Sequence, residues 1–240
     1  MEDVLDVVII GAGISGLCAG NLLKQQDAEL KTLILEARDR VGGRTQTVEN
    51  AEVKYVDLGG SYVGPTQDRI LRVAKSLGVQ TYKVFDQGKV TEHFGGRPSS
   101  YSGDYSTWNV LAVLDYFHQI RELDRMCEHV PLLSPWKASR AKEWDTMTVK
   151  DYFDRSCWTT YAKKRMYQIL HDAMAAEPYD MSLLYYLWYL KSAGGVNRIA
   201  NVENAGQERK FKGGSQQISK KLAQILGEKV IFSIVSGCMV

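Results

Sequence analysis

The stretch Val7–Gly20, VVIIGAGISGLCAG, constrains this chain more than any other: an apolar run breaks into three glycines and continues directly as a helix. Gly11, Gly13 and Gly16 form GxGxxG at the strand-to-helix junction. The first glycine allows the tight turn, the second removes a side chain that would block a pyrophosphate, and the third lets helix and strand pack closely. Free N–H groups and the helix dipole then favour a phosphate at this point. The spacing predicts a helix from about Ile14 to Gln26 and a second strand, TLILE, at 32–36, a βαβ unit with a right-handed crossover. Glu36 closes that strand about 20 residues after Gly16, where an acid accepts hydrogen bonds from both ribose hydroxyls. These features specify a dinucleotide site and leave NAD and FAD open.

The residues that follow favour FAD. A nicotinamide dehydrogenase turns quickly into its next helix, whereas LEARDRVGGRT (35–45) stays extended and carries Arg38, Gly42, Gly43 and Arg44. Arginine suits a phosphate-bearing cofactor because its planar fork makes two parallel hydrogen bonds. The Gly- and Arg-rich segment 37–66 reads as an extended binding loop with little regular structure.

Residues 4–10 read as a parallel strand buried on both faces apart from Asp6. DRILRVAKSLG (68–78) is an amphipathic helix stopped by Gly78. Residues 86–106 are turn-rich, with GGRPSSYSGDYS as an excursion, and from Trp108 to about Leu190 the apolar spacing is helical. Residues 213–235 return to the opening pattern: GGS, a helix to Leu226, GE as a turn and a strand KVIFSIV. The expected fold is α/β: a Rossmann-like dinucleotide-binding domain in 1–85, interrupted by a mainly helical insert in 86–207 and resumed by a return segment in 208–240.

Composition narrows the function classes. A net charge of +2 over 240 residues is too mild to argue for nucleic acid or an anionic membrane as partner. Cys18, Cys127, Cys157 and Cys238 stand far apart, and the four histidines are equally scattered, so neither a disulfide framework nor a metal site is expected. The acidic start MEDVLDVVII passes straight into a strand and carries no visible secretory or transit peptide. MSLLYYLWYL and VIFSIV fall short of the roughly 18 apolar residues a membrane span needs. A soluble, cytoplasmic chain is the expectation for these residues alone.

The sequence resembles the flavin-dependent amine oxidases, and within them the monoamine oxidases. The resemblance rests on LEARDRVGGRT, on VKYVDLGGSYVGPTQDRILRVAKSLGVQTYKV (53–84), and on PWKA, EWDTMTVKDYFDRSCWT, LWYLKSAGGVNRI and GQERKFKGGSQQ. It spans nearly the whole chain but only about the first half of such an enzyme. It implies FAD as cofactor, a primary amine and oxygen as substrates, and an aldehyde, ammonia and hydrogen peroxide as products. By the same match Gly11, Gly13, Ser15, Gly16, Glu36, Arg38, Gly43, Arg44 and Thr45 hold the ADP half of FAD. Gly59, Gly60 and Ser61 pass beside the flavin ring; Tyr62 reaches the amine pocket and Gln207 faces the substrate. Cys157 stands where relatives also carry a cysteine and is read as a packed helical residue rather than a nucleophile, since no base is evident nearby.

Two positions depart from the family pattern. Asp172, in ILHDAMAAE, falls where relatives place an apolar residue against the amine's carbon skeleton, and Ala200 replaces a bulkier residue that divides the entrance from the inner cavity. A buried unpaired carboxylate is costly, so Asp172 either faces out or attracts a second positive group. The cysteine that bonds the flavin, the paired tyrosines facing its ring, a lysine near its reactive edge and the membrane-anchoring tail all belong to the family's later half, so no catalytic residue is assigned within this chain. The full-length family implies a homodimer at the mitochondrial outer membrane. SIVSGCMV at the end loses the resemblance, which suggests truncation. Beside the amine oxidase stand two alternatives: a non-catalytic fragment binding at most a nucleotide or partner, and an oxidase of polyamines or amino acids. GSYVGPTQ and GQERKF speak against the last.

Overall fold

The computed structural model describes residues 4–94, 96–102 and 109–234. The opening apolar run folds as β1 (Val7–Ile10), the helix after the glycines as α1 (Ile14–Gln26), and TLIL as β2 (Thr32–Leu35). Next come β3 (Thr47–Asn50), β4 (Lys54–Asp57) and β5 (Tyr62–Val63), then α2 (Asp68–Ser76) and β6 (Thr81–Lys83). A hairpin of β7 (Lys89–Phe94) and β8 (Arg97–Ser102) precedes the helical stretch. That stretch holds α3 (Val110–Glu128), α4 (Ala141–Thr146), α5 (Val149–Ser156), α6 (Thr160–Met174), α7 (Leu183–Ala193) and α8 (Val196–Ala200). The chain closes with β9 (Arg209–Phe211), α9 (Gln216–Leu226) and β10 (Val230–Ile231). It divides into two compact units, Met1–Val84 with Gln207–Val240, and Phe85–Gly206.

In the first unit β1, β2 and β10 form a parallel sheet with β2 in the middle, Val7 opposite Thr32 and Ile34 opposite Val230. The segment after Gln207 thus returns to the strand that began the chain. Helices α1 and α9 pack together on one face, burying Leu17, Ile34, Ile218, Leu222 and Leu226. A second sheet, β5-β9-β6, is antiparallel and again uses the return segment as its central strand.

Several expectations are corrected here. The first strand is shorter than 4–10 and is buried on one face only: Val8 is 47% and Ile10 72% exposed. Alternate residues of β1 point away from α1, and among the described residues no layer covers that face. The segment 37–66 stays mostly irregular but carries three short strands, β3, β4 and β5. Its β3–β4 hairpin is closed by Asn50, whose Oδ1 accepts from the N–H groups of Glu52 and Val53 at 2.9 and 3.0 Å, an Asx turn. Part of the expected excursion in 86–106 is the paired β7–β8 hairpin, with Glu92 accepting from Tyr101, Tyr161 and Arg165. The strand expected over KVIFSIV is reduced to Val230–Ile231, because Ser233 takes a left-handed φ of 59° and its N–H turns to Arg38 O. Trp108, Cys238 and the expected features at 103–108 and 235–240 lie outside the described residues.

The second unit is helical around its own core, which includes Leu123, Trp144, Phe153, Met166, Leu170, Leu183 and Leu187. Side chains cap its helix starts: Asn109 for α3, a Thr148–Asp151 capping box for α5, Thr159 for α6 and Ser182 for α7. Asp115, fully buried on α3, accepts from Trp158 N, Thr159 N, Thr159 Oγ1 and Gln119 Nε2 at 2.7–3.1 Å. The charge is held by four donors at the positive end of α6, which is what makes its burial tolerable.

Candidate functional site

The glycine turn after β1 is built to leave space. Gly11 takes φ +96° and is tied to the end of β2 by its N–H to Leu35 O at 2.7 Å. A Cβ added at Gly11 or Gly13 would meet nothing within 4 Å, whereas one at Gly16 would lie 2.1 Å from Gly11 O. Only the third glycine is therefore required by packing within the chain. Gly13 is the N-cap of α1 and no side chain caps the helix; its first turn carries no acid. Free N–H groups facing open space at a helix start are an anion site.

A second glycine loop lies against the first. Gly13 and Gly42 form an isolated parallel bridge, Gly42 N–H donates to Ala12 O at 2.9 Å, and a Cβ on Gly43 would lie 3.7 Å from Gly13 Cα. Glu36, 4% exposed, joins the two loops by accepting from Ala12 N at 2.8 Å and Arg38 N at 2.9 Å. A carboxylate has about four acceptor positions, so two remain for a ligand's hydroxyls. Arg38 and Arg44 are exposed and, among the described residues, neither side chain is held in an ion pair; Arg40 Nη1 instead braces the loop through Gly43 O at 3.1 Å. Thr45 Oγ1 donates to Gly42 O at 2.9 Å, and Ser15 is exposed on the first turn of α1.

The Gly59–Gly60 turn is held from both sides. A Cβ at Gly59 would lie 2.1 Å from Arg44 O, Gly60 N–H donates to Arg44 O, and Ser215 Oγ donates to Gly60 O at 2.6 Å. Asp57 accepts from Thr47 Oγ1 and from Ser215 N. Gln216, also buried, donates to Val41 O at 2.8 Å and accepts from Thr47 N at 2.9 Å. These three braces, Asp57, Ser215 and Gln216, were not singled out in the sequence. Ser215 and Gln216 are polar residues at buried positions, and each of the three has a partner more than a hundred residues away.

Tyr62 is half-exposed on β5, and Lys210 Nζ sits over its ring at 4.5 Å. Gln207, Tyr62, Glu36 and the glycine loops share the first unit, while Asp172 and Ala200 belong to the second, on α6 and α8. Asp172 is exposed and forms no ion pair among the described residues, the neighbouring His171 being engaged with Glu177 at 2.9 Å. Cys157 follows α5 half-buried, and burial pushes its thiol up to about 12, away from any nucleophilic role. Among the described residues no cluster of His, Cys, Asp and Glu is arranged to hold a metal ion, and no helix is long and apolar enough to cross a membrane.

Known proteins match this arrangement. Residues 14–235 fit the family model described as flavin containing amine oxidoreductase. The chain is 48% identical over 230 residues to amine oxidase [flavin-containing] of Oncorhynchus mykiss and 47% identical over 231 residues to amine oxidase [flavin-containing] B of Homo sapiens. These alignments cover 95% and 96% of this chain but 44% of each relative, so the chain spans less than half the length of the curated relatives it matches. Among solved structures, cyclohexylamine oxidase from Brevibacterium oxydans superposes with a TM-score of 0.89 at 28% identity, over 95% of this chain and 51% of that one. Putrescine oxidase bound to putrescine superposes at 0.86 and 27% identity, with the same coverage.

Proposed function

The chain belongs to the flavin containing amine oxidoreductase family, and from that premise we propose that it holds FAD for the oxidation of primary amines. The observation that carries the reading is the uncapped start of α1, with open glycine positions beside a buried Glu36 that keeps acceptor capacity free. The first unit is then a Rossmann-like FAD-binding domain, and the helical unit Phe85–Gly206 the substrate-binding insert.

Bound FAD supplies the two-electron acceptor for hydride loss from the amine's α-carbon. The chain's residues bind, orient and shield. The backbone at Gly11, Gly13, Ser15 and Gly16 faces the pyrophosphate, and Glu36 accepts from the adenosine ribose. Arg38 and Arg44 supply positive charge along the cofactor, with Gly43 and Thr45 shaping the loop. Gly59, Gly60 and Ser61 lie along the flavin side, and Tyr62 and Gln207 face the amine. The overall reaction takes a primary amine, oxygen and water to an aldehyde, ammonia and hydrogen peroxide. The homodimer and the mitochondrial outer-membrane location are, in this reading, properties of the full-length family.

The test is direct. The chain is loaded with FAD, freed of excess flavin, and its visible spectrum and peroxide release with benzylamine are recorded. A protein-bound flavin spectrum without peroxide release is the expected result for these 240 residues; a colourless protein overturns the FAD reading, and peroxide release overturns the expectation that they do not turn over alone. Bound flavin without peroxide supports the second reading, a cofactor-holding chain without turnover.

Substrate choice within this reading rests on Asp172 and Ala200. Asp172 on α6, an exposed carboxylate without an ion-pair partner among the described residues, and Ala200 on α8, small where the family pattern is bulkier, suit an amine with a second positive group, such as the putrescine bound by the structural relative. Asp172→Leu is expected to lower the preference for putrescine over benzylamine about tenfold in a competition assay. An unchanged ratio would remove the diamine assignment.

A further inference from the structure

The three-stranded sheet β5-β9-β6 places Lys210 directly opposite Tyr62 on one side and Tyr82 on the other, so the three side chains share one face. The ammonium of Lys210 stands over the Tyr62 ring at 4.5 Å, and among the described residues no carboxylate pairs with it. The other ionisable groups around this row do not form an ion pair with Lys210 among the described residues, though Tyr55 hydrogen-bonds Tyr82 and the Asp57 charge reaches it. Tyr55 and Asp57 approach Tyr82 from β4, with Tyr55 donating to Phe211 O and Asp57 held by Thr47 and Ser215. On the opposite face Arg209 donates to Thr81 Oγ1 and lies 3.9 Å from Glu208, and Lys83 pairs in register with Arg209. One face of Tyr62 is thus occupied by a positive charge that, among the described residues, no carboxylate contacts directly.

We propose that Lys210 is a positioning residue that makes Tyr62 select the uncharged form of the reacting amine; this rests on the placement of Tyr62 at the amine pocket. An aromatic face attracts a cation through its quadrupole, and a cation already seated on one face repels a second approaching the other. The field of Lys210 therefore opposes binding of an alkylammonium and leaves a neutral amine unopposed. Binding releases the substrate's proton to the buffer, and the nitrogen keeps the lone pair that loss of an α-hydride requires. No bond to Lys210 forms or breaks.

The experiment uses the flavin-loaded chain, with benzylamine as the ionisable probe and benzyl alcohol as its uncharged counterpart. Calorimetric titration near neutral pH, in buffers of different ionisation heat, gives both affinity and protons released. The unaltered chain is expected to release about one proton per benzylamine bound. K210M is expected to bind benzylamine about tenfold more tightly while releasing fewer protons, with benzyl alcohol unchanged, and K210R to behave as the original. K210Q repeats the neutral substitution with a polar side chain. Equal effects of K210M on both probes, or none on either, overturn the inference, since a merely structural lysine would not separate a charged ligand from its neutral isostere. Absence of binding for both probes to the unaltered chain instead overturns the placement of Tyr62 at an amine pocket, and the inference with it.

Discussion

Gly16→Ala is expected to destabilise the first unit on the order of 3 kcal/mol, a fall of about 10 °C in its unfolding temperature, whereas Gly13→Ala leaves stability unchanged and weakens FAD binding. The difference follows from what each new methyl group meets. At Gly16 it would lie 2.1 Å from Gly11 O and 3.1 Å from Ile9 Cγ2. Gly11 cannot retreat, because its N–H is bonded to Leu35 O at the end of β2. Helix α1 would have to lift from the sheet and lose its packing against Ile34 and α9. At Gly13, φ is −74° and nothing lies within 4 Å, so alanine fits the apo chain without strain. The same open volume is where the cofactor's pyrophosphate is placed, so FAD affinity is expected to fall at least about tenfold. Thermal unfolding followed by circular dichroism, with and without FAD, separates the two effects. Gly20 is a useful contrast: its added Cβ would meet the terminal Cδ1 of the Ile34 side chain at 2.8 Å rather than backbone. If Gly13→Ala lowered apo stability as much as Gly16→Ala, the glycine loop would be a packing device and not a cradle.

The residues that are legible in the sequence are those whose reasons are local. The Ile14–Gln26 helix, the strand at 32–35 and the α2 helix follow from spacing and turn chemistry within a few residues. Glu36 is legible because a strand end fixes where an acid must stand. What was not legible depends on partners far along the chain. Asp57, Ser215 and Gln216 brace the 41–47 loop and the Gly59–Gly60 turn through contacts that close only when the return segment docks. The exposed face of β1 is hidden in the sequence for a related reason: an apolar run carries no mark of which side a neighbouring layer will cover. Lys210 reads as one basic residue among several in QERKFK, and only the β5–β9 register brings it over Tyr62. Asp172 could be singled out as a departure from the family, but its exposure and lack of an ion-pair partner needed the fold.

The second large effect is expected at Glu36. Its carboxylate is almost fully buried, and two backbone N–H groups, of Ala12 and Arg38, converge on it from the two glycine loops. Burying a charge is unfavourable, and here it is offset by these two charge-assisted bonds and by the positive end of α1 close by. Glu36→Ala removes the desolvation cost but leaves both N–H groups without their acceptor, a net loss of about 2 kcal/mol in apo stability. Glu36→Gln keeps one oxygen and turns an amide N–H toward a backbone donor, so about half that loss is expected. The cofactor effect is separable from the stability effect. If the remaining lone pairs accept from the adenosine ribose, FAD affinity should fall about tenfold to a hundredfold in Glu36→Ala, whereas FMN, which has no adenosine half, should bind as before. Equilibrium fluorescence titration with both flavins reads the ratio. Equal losses for FAD and FMN would show that Glu36 acts only by tying the loops together; a loss confined to FAD places its free oxygens on the ribose, because loop disorder alone would weaken both flavins that use the same turn.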